Sequence, residues 1–294
     1  MNLKKGIEVY LAWKATYAKA AARSYRVRLK HLLSYLGDLK IADLRGEHLV
    51  AYHQNLEKEG YSTATIAYAT WILKDFFWFW HGRDEVNLNP KEIRSPKFYS
   101  PPTAVVTQED FEDMCDILDE RIFSDLTKKV LIHILWDTGL RVSELCDINI
   151  SDVELSPLDK DGFRAVQVRT RKTMRYNQVV FSPKTNKLLV KYLALRICVD
   201  TPTDALFIPS KAETGKGITT RGVQRWVKKI AEEAMLDKLI TPHSFRHGKA
   251  HAILDQGGNV RDVQAILRHR NPASSFNYLT LNRQKYVETA KKYI

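Results

Sequence analysis

The sequence predicts a mainly α-helical protein with one small antiparallel sheet, an α+β fold divided into two domains. Three observations predict it. Apolar residues recur every three to four positions through most of the 294 residues, two alternating segments lie near residue 170, and a proline-rich stretch interrupts the helical pattern near residue 90. The hydrophobic content of 44% is enough to build a core and excludes a disordered chain. The sequence contains no run of about 18 apolar residues, so it predicts no membrane-spanning helix.

Four amphipathic segments in the first 82 residues predict a small helical bundle. They read GIEVYLAWK, SYRVRLKHLLSYLG, EHLVAYHQNLEKEG and TATIAYATWILKDFFWFW. Gly37 and Gly60 follow the second and third segments, where helices end in glycine, and Ser62 is placed to cap the fourth. The aromatic run at 76–80 is apolar on every side, which favours a buried core or a protomer contact over a base-stacking surface.

Residues 83–106 predict the connection between the two domains. Four prolines forbid a continuous helix there: Pro90, Pro96, Pro101 and Pro102. We therefore expect a helical domain over 1–84, a linker over 85–106 and a second domain over 107–294.

The second domain begins with two predicted helices, capped at Thr107 and Ser124. The segments FRAVQVRTRK and YNQVVF then alternate in polarity and predict a β-hairpin. Helical patterns resume near Ser182 and continue to the end.

The charge points towards a polyanionic partner. The net charge is +12, and the first 100 residues and the remainder each contribute +6, so the excess is not a basic tail. A cationic protein without a special partner is the alternative. Three widely spaced cysteines predict neither a disulfide framework nor a metal knuckle, which indicates a reducing cytoplasm.

The first polar motif is TGLRVSEL. A helix is expected to end at Gly139 and another to begin at once, with Arg141 in its first turn and Glu144 three residues on, on the same face. Glu144 can then fix the Arg141 guanidinium. A capping pair on a surface helix is the alternative.

The second motif is TPHSFRHGKAH. Thr241 as N-cap and Pro242 as first residue define the start of a helix, which places His243 and Arg246 at its N-terminal end. Backbone N–H groups and the helix dipole there favour an anion such as a phosphate. A rival interpretation is a zinc site formed by His243, His247 and His251, which are spaced four residues apart. No cysteine or HExxH pattern accompanies these histidines.

The third motif runs from Asn259 to Tyr278. Asn259 is expected to cap a helix whose last turn carries His269, and Tyr278 follows nine residues later among Ser and Asn residues. A tyrosine at helical spacing is ordinarily a core residue, but these neighbours indicate a more polar setting.

Together, the ordered motifs TGLRVSEL, TPHSFRH, ILRH and the later tyrosine resemble the tyrosine site-specific recombinases. The layout is most similar to the Xer-type and compact phage-integrase-type members. The resemblance covers nearly the whole chain, because that family also has a helical, SAM-like core-binding domain before its catalytic domain.

The resemblance implies that Tyr278 is the nucleophile that forms a covalent 3′-phosphotyrosyl link and expels a 5′-hydroxyl. It implies that Arg141, Arg246 and His269 bind the nonbridging oxygens, and that His243 accepts or orients the tyrosine proton. The covalent link stores the energy of the broken ester. No nucleotide cofactor is therefore expected, and because two arginines and no carboxylate cluster would face the phosphate, no metal ion is expected either.

The resemblance also implies a hairpin lysine that protonates the leaving oxygen. Lys172 is the only lysine in the hairpin and is assigned this role, with Arg175 as the alternative. The chain departs from the family pattern at two places. Arg268 stands where glycine usually precedes the third-motif histidine, and Gly248 and Lys249 stand where a hydroxyl residue usually follows the second motif.

DNA contacts are expected from basic faces on both domains. Arg221 and Arg225 lie four apart in a segment similar to one that meets DNA in the family. In the first domain the candidates are Arg23, Arg26, Lys30, Tyr68 and Lys74. A solvated basic face is the alternative.

The resemblance implies double-stranded DNA with a specific site as substrate and a tetramer on that DNA, either a homo-tetramer or a hetero-tetramer with a related recombinase. A C-terminal helix is expected to dock onto a neighbouring protomer, and exchange is expected to pass through a Holliday junction. Chromosome-dimer resolution, phage integration and transposon movement all remain open roles, and we expect a cytoplasmic, nucleoid-associated protein with no membrane partner. A relaxing topoisomerase of type IB and a non-catalytic DNA-binding accessory protein are the rival functions.

Overall fold

The computed structural model describes residues 1–98, 103–154, 158–170, 175–209, 215–269 and 271. The chain divides into two compact units, Met1–Pro102 and Thr103–Ile294. The predicted fold class is confirmed, because the described residues form helices and a two-stranded antiparallel sheet. In this part of the chain no helix is long and apolar enough to cross a membrane.

The first unit is a helical bundle built from α1 (Leu3–Leu36), a 3₁₀ turn (Ile41–Asp43), α2 (Gly46–Lys58) and α3 (Thr63–His81). The first two predicted helices are joined in α1, which bends at Ala18, where φ is −149° and ψ is 65°. The alanine-rich sequence around this bend has high helix propensity and contains neither glycine nor proline. The chain therefore resumes its helix after the bend instead of turning back.

The predicted ends of these helices are confirmed. Gly37 ends α1 with φ of 73°, Gly60 follows α2 with φ of 80°, and the Ser62 side chain accepts a hydrogen bond from the Thr65 N–H at the start of α3. Four of the five aromatic residues at 76–80 are buried in the core, and Trp78 remains 45% exposed.

An ion pair and a hydrogen bond tie α1 to α3. The Asp75 carboxylate pairs with the Lys14 ammonium and accepts a hydrogen bond from the Tyr25 hydroxyl at 2.8 Å. Burial favours the neutral acid, but these two donors outweigh it and lower the pKa of Asp75. The contact fixes which face of α1 remains open to solvent.

The predicted linker has packed segments at both of its ends. Val86, Leu88 and Ile93 are buried in the core of the first unit, and Val106 is buried in the core of the second. Their apolar side chains lose water contact there, which the proline pattern alone does not indicate.

The second unit contains eight helices within its described residues and the hairpin. In chain order the elements are the helices α4 (Gln108–Asp116), α5 (Phe123–Thr138), α6 (Val142–Leu145) and α7 (Ile150–Glu154), the hairpin strands β1 (Arg164–Thr170) and β2 (Arg175–Phe181), and the helices α8 (Pro183–Arg196), α9 (Thr220–Glu233), α10 (Pro242–Asp255) and α11 (Val260–Leu267). The predicted hairpin is confirmed, with Arg164 opposite Phe181 and Thr170 opposite Arg175.

One of the two caps predicted at the start of this unit is confirmed. The Thr107 side chain accepts a hydrogen bond from the Asp110 N–H and caps α4. Ser124 was the wrong residue for α5, whose N-cap is Ile122. The Ile122 carbonyl already accepts from the Leu126 N–H at 2.9 Å, so the helix begins before Ser124 is reached.

Candidate active site

Arg141 lies at a sharp turn between two helices. Gly139 ends α5 in the left-handed conformation, with φ of 55° and ψ of 31°, and a Cβ there would lie 2.6 Å from Leu267 Cδ2. The left-handed backbone favours glycine, and a Cβ would also crowd the Leu267 side chain. Arg141 is the N-cap of α6 rather than a residue of its first turn, which corrects the sequence prediction by one position. Its extended backbone follows from the turn that Gly139 begins.

Glu144 holds Arg141 by backbone and side chain together. Its carboxylate accepts from the Arg141 N–H and from Arg141 Nη1, both at 3.0 Å. Glu144 is only 1% exposed, whereas the Arg141 side chain is 39% exposed and can meet a ligand. The pairing therefore fixes one edge of the guanidinium and leaves the group accessible.

Thr170 of β1 completes this contact, which no sequence motif predicted. Its hydroxyl donates to Glu144 Oε1 at 2.9 Å and accepts from Asn177 Nδ2 on β2. Burial favours the neutral form of Glu144. The hydrogen bond from the Arg141 N–H, the charge of Arg268 and the Thr170 hydroxyl outweigh burial and lower the pKa of Glu144.

Arg246 joins two loops that are distant in sequence. The start of α10 is as predicted, with Thr241 as N-cap and Pro242 in the first turn. One turn on, Arg246 is 3% exposed and donates from Nη1 to the Gly139 carbonyl at 2.6 Å and from Nη2 to the Leu267 carbonyl. A single buried guanidinium thus connects the turn before Arg141 with the end of α11.

His269 follows α11 instead of lying in its last turn. Asn259 caps the start of α11 as predicted, but the helix ends at Leu267 and Arg268 adopts the left-handed conformation. The His269 N–H then donates to the Gln264 carbonyl at 3.0 Å. The sequence prediction was wrong here because Arg268 takes a backbone conformation that favours glycine.

Three histidines of this region share one electrostatic environment. Burial first, and then the charges of Arg246 and Arg141, lower the pKa of His243 and of His269, the latter to about 4. Burial and the neighbouring His243 lower the pKa of His247 to about 4, and the His243 and His247 rings lie 5.6 Å apart. The charges of Arg141 and Arg246 therefore reach both His243 and His269, so these four residues lie in one region of the second unit.

Two predicted catalytic residues, Lys172 and Tyr278, lie outside the described residues. Arg175, the alternative to Lys172, opens β2 opposite Thr170. The hairpin thus meets Glu144 through Thr170, the last residue of β1.

Packing explains why position 248 is a glycine. A Cβ at Gly248 would lie 2.3 Å from the Val106 carbonyl oxygen, so no larger residue fits. Lys249 and Arg268 line a cavity of about 500 Å³ with Asp137. Burial lowers the pKa of Lys249, and the Asp137 carboxylate opposes that shift.

The basic residues predicted to meet DNA lie on helix surfaces. Arg221 and Arg225 are exposed on α9, and Arg23, Arg26 and Lys30 are exposed on α1. No ion pair joins these five to any residue that the structure describes. On α3, Lys74 is half-buried, and Tyr68 stacks on Trp71 and contacts the Ser24 hydroxyl at 3.1 Å.

The rival zinc interpretation has no geometric counterpart within the described ranges, where no three His, Cys, Asp or Glu side chains are arranged to hold a metal ion.

Comparison with known proteins gives the family and the fold. The profile described as "Phage integrase family" matches residues 104–285, and that described as "Phage integrase, N-terminal SAM-like domain" matches residues 8–82. The tyrosine recombinase XerC of Listeria innocua is 26% identical over 308 aligned positions, which cover 99% of this chain and 97% of that protein.

Two solved structures show the same fold at low sequence identity. The XerH site-specific recombinase, bound to palindromic difH substrate in a post-cleavage complex, is 20% identical with a TM-score of 0.75, and the match covers 98% of this chain and 84% of that one. The Tn1549 transposon integrase in complex with a circular intermediate DNA is 18% identical with a TM-score of 0.78, and the match covers both chains completely.

Replacing Arg246 by lysine should destabilise the second unit. An ammonium cannot donate to both the Gly139 and Leu267 carbonyls in the geometry of the guanidinium, so one buried carbonyl loses its partner. We expect a loss of about 2 kcal/mol in the free energy of unfolding by urea. The exposed Arg225→Lys is the control and should change it by less than about 0.5 kcal/mol. Equal stability of Arg246→Lys and the parent chain would contradict the bridging role.

Acid should destabilise the protein in a defined pH window. The unfolded histidines titrate near 6.5, whereas His247 and His269 titrate near 4 in the folded chain, so the unfolded chain binds more protons between these values. The free energy of unfolding should therefore fall as the pH drops from about 6.5 to 4 and be nearly constant just above that window. Urea titrations across this range measure it, and His247→Gln should make the fall shallower. A free energy that rises on acidification here would refute the assignment.

Proposed function

The chain belongs to the phage integrase family, and we propose that its Tyr278 is the nucleophile that attacks the scissile phosphate of duplex DNA. Family membership makes it an enzyme of site-specific recombination that cleaves and rejoins DNA by the tyrosine mechanism. We further propose which residues carry each step, which residues contact DNA and how the protomers assemble.

The proposed chemistry is a reversible transesterification. The Tyr278 phenolic oxygen forms a bond to phosphorus while the bond from phosphorus to the 5′-oxygen breaks. His243 accepts or orients the phenolic proton, and Lys172 gives a proton to the leaving 5′-oxygen. One phosphoester replaces another, so the bond energy is retained in the 3′-phosphotyrosyl link and the reaction needs no nucleotide cofactor.

The observation that carries the proposal is the Arg246 bridge. The Gly139 carbonyl lies two residues before Arg141 and the Leu267 carbonyl two residues before His269, so one guanidinium holds both loops at a common point. Negative charge grows on the nonbridging oxygens of a pentacoordinate phosphorus, and in the proposal Arg141, Arg246 and His269 are the preorganised donors that bind these oxygens and stabilise that charge. His243, at the second residue of α10, adds the positive end of a helix.

In the proposal both domains, each of which is basic, bind duplex DNA. Residues 1–84 are the DNA-binding domain, 85–106 the linker and 107–294 the catalytic domain. Arg23, Arg26 and Lys30 supply phosphate contacts from α1, and Tyr68 and Lys74 supply contacts from α3. Arg221 and Arg225 of α9 supply phosphate or guanine contacts.

The proposed assembly is a tetramer on two DNA sites, because exchange of two duplexes requires four strand cleavages. Identical protomers, or this chain with a related recombinase, exchange strands in two rounds through a Holliday junction, and the C-terminal helix links neighbouring protomers. Chromosome-dimer resolution and integration or excision of a mobile element are the biological roles that this reaction serves. The substrate is chromosomal or mobile DNA, so we place the protein at the nucleoid.

Tyr278→Phe should abolish covalent capture of DNA. The test incubates the protein with nicked duplexes of randomised central sequence and measures adducts that survive denaturing gel electrophoresis. The parent chain should form adducts and Tyr278→Phe none, because phenylalanine lacks the attacking oxygen. Tyr286→Phe is the matched control in the same segment and should form adducts like the parent.

Adduct formation by Tyr278→Phe would refute the nucleophile. Sequencing the captured DNA then distinguishes the rivals: an enriched sequence indicates a recombination site, and random capture indicates a relaxing topoisomerase.

Removing the α9 arginines should reduce the salt dependence of DNA binding. If Arg221 and Arg225 each neutralise a phosphate, Arg221→Gln with Arg225→Gln should lower the slope of log K against log salt by about 2. Lys228→Gln with Lys229→Gln is the control on the same helix, where each lysine pairs with a glutamate one turn on. Fluorescence anisotropy with labelled duplex gives both slopes. An unchanged slope for the arginine variant would remove α9 from the interface.

A further inference from the structure

Arg268 stands at a backbone position that suits glycine. Its φ of 55° and ψ of 45° are left-handed, and its own N–H caps α11 by donating to the Ala265 carbonyl. This cap uses only the backbone, so glycine would make it at a lower conformational cost. The arginine side chain is therefore not explained by the end of the helix.

The Arg268 guanidinium is also buried without full hydrogen bonding. Its side chain is 10% exposed, and Nη1 donates to the Ile266 carbonyl at 2.8 Å. Its Nε and Nη2 atoms are buried and donate to no acceptor in the part of the chain that the structure describes. A buried cation with unfilled donors is destabilising by itself. The contribution of Arg268 must be sought in its charge.

That charge faces the carboxylate that holds Arg141. Arg268 Nη2 lies 3.7 Å from Glu144 Oε2, the atom that also accepts from the Arg141 N–H. Glu144 alone would neutralise Arg141 and weaken its attraction for an anion. With Arg268 present, two guanidinium groups share one carboxylate, and the group of three retains one positive charge.

We infer that Arg268 is a positioning residue, which divides the charge of Glu144 between two arginines so that Arg141 stays available to a DNA phosphate. The inference rests on the proposed function, because that proposal assigns Arg141 to the phosphate. The guanidinium acts through Glu144, since its Nε and Nη2 atoms are buried and its Nη1 atom donates to the Ile266 carbonyl.

Three variants at this position test the inference. Arg268→Gly relieves the left-handed strain and the buried charge, so it should unfold at a higher urea concentration than the parent. It should nevertheless form phosphotyrosyl adducts about tenfold more slowly in a single turnover. Arg268→Lys keeps the charge and should recover the rate to within about threefold, whereas Arg268→Met keeps only the bulk and should not.

A double-mutant cycle identifies Glu144 as the intermediary. Glu144→Gln removes the shared charge, so adding Arg268→Gly in that background should change the adduct rate by less than about twofold. A purely structural Arg268 would show no rescue by lysine and the same loss in both backgrounds. Wild-type rates for Arg268→Gly would likewise overturn the inference.

Inorganic vanadate, a phosphate mimic, provides a readout that needs no DNA. At constant ionic strength it should raise the unfolding midpoint of the parent and of Arg268→Lys, and raise that of Arg268→Gly less. If this pattern holds but the parent captures no DNA, the inference stands and the proposed function fails. If the parent and Arg268→Gly capture DNA equally, the function stands and the inference fails. Absence of both responses refutes both.

Discussion

The candidate site depends on one interaction, the bridge from the Arg246 guanidinium to two backbone carbonyls. Gly139 and Leu267 are more than 100 residues apart in sequence, and each precedes a proposed phosphate-binding residue by two positions. Because the bridge uses backbone atoms, it fixes the course of both loops directly. Burial strengthens it, since water cannot compete for the same carbonyls. A forked, permanently charged donor is the side chain best suited to this task.

Around that bridge, the site is built from cations that are only partly compensated. Within the described residues Glu144 is the carboxylate that pairs with Arg141 and Arg268. Because Glu144 is buried, water screens its charge little and the charge acts mainly on those two partners. Burial first, and then the charges of Arg246 and Arg141, lower the pKa of the neighbouring His243 and His269. Two guanidinium groups and one carboxylate therefore leave a net positive charge at this place.

Local signals in the sequence predicted most of the fold, and contacts between distant segments explain what it missed. The caps at Ser62, Thr107 and Asn259 were predictable because each involves residues within three positions. The end of α11 was not, because an arginine at position 268 gives no sign of a left-handed backbone. Thr170 was missed because its contact with Glu144 joins residues 26 positions apart, and only the hairpin register brings them together.

The close approach of Gly248 to the preceding chain has a mechanical consequence. The Val106 carbonyl leaves no room for a Cβ on α10, and the Val106 N–H donates to the Ser244 carbonyl at 3.3 Å in the first turn of the same helix. The incoming chain is thus clamped to the helix that carries His243 and Arg246. Tension in the chain before Val106 would therefore act directly on the first turn of α10, next to His243 and Arg246.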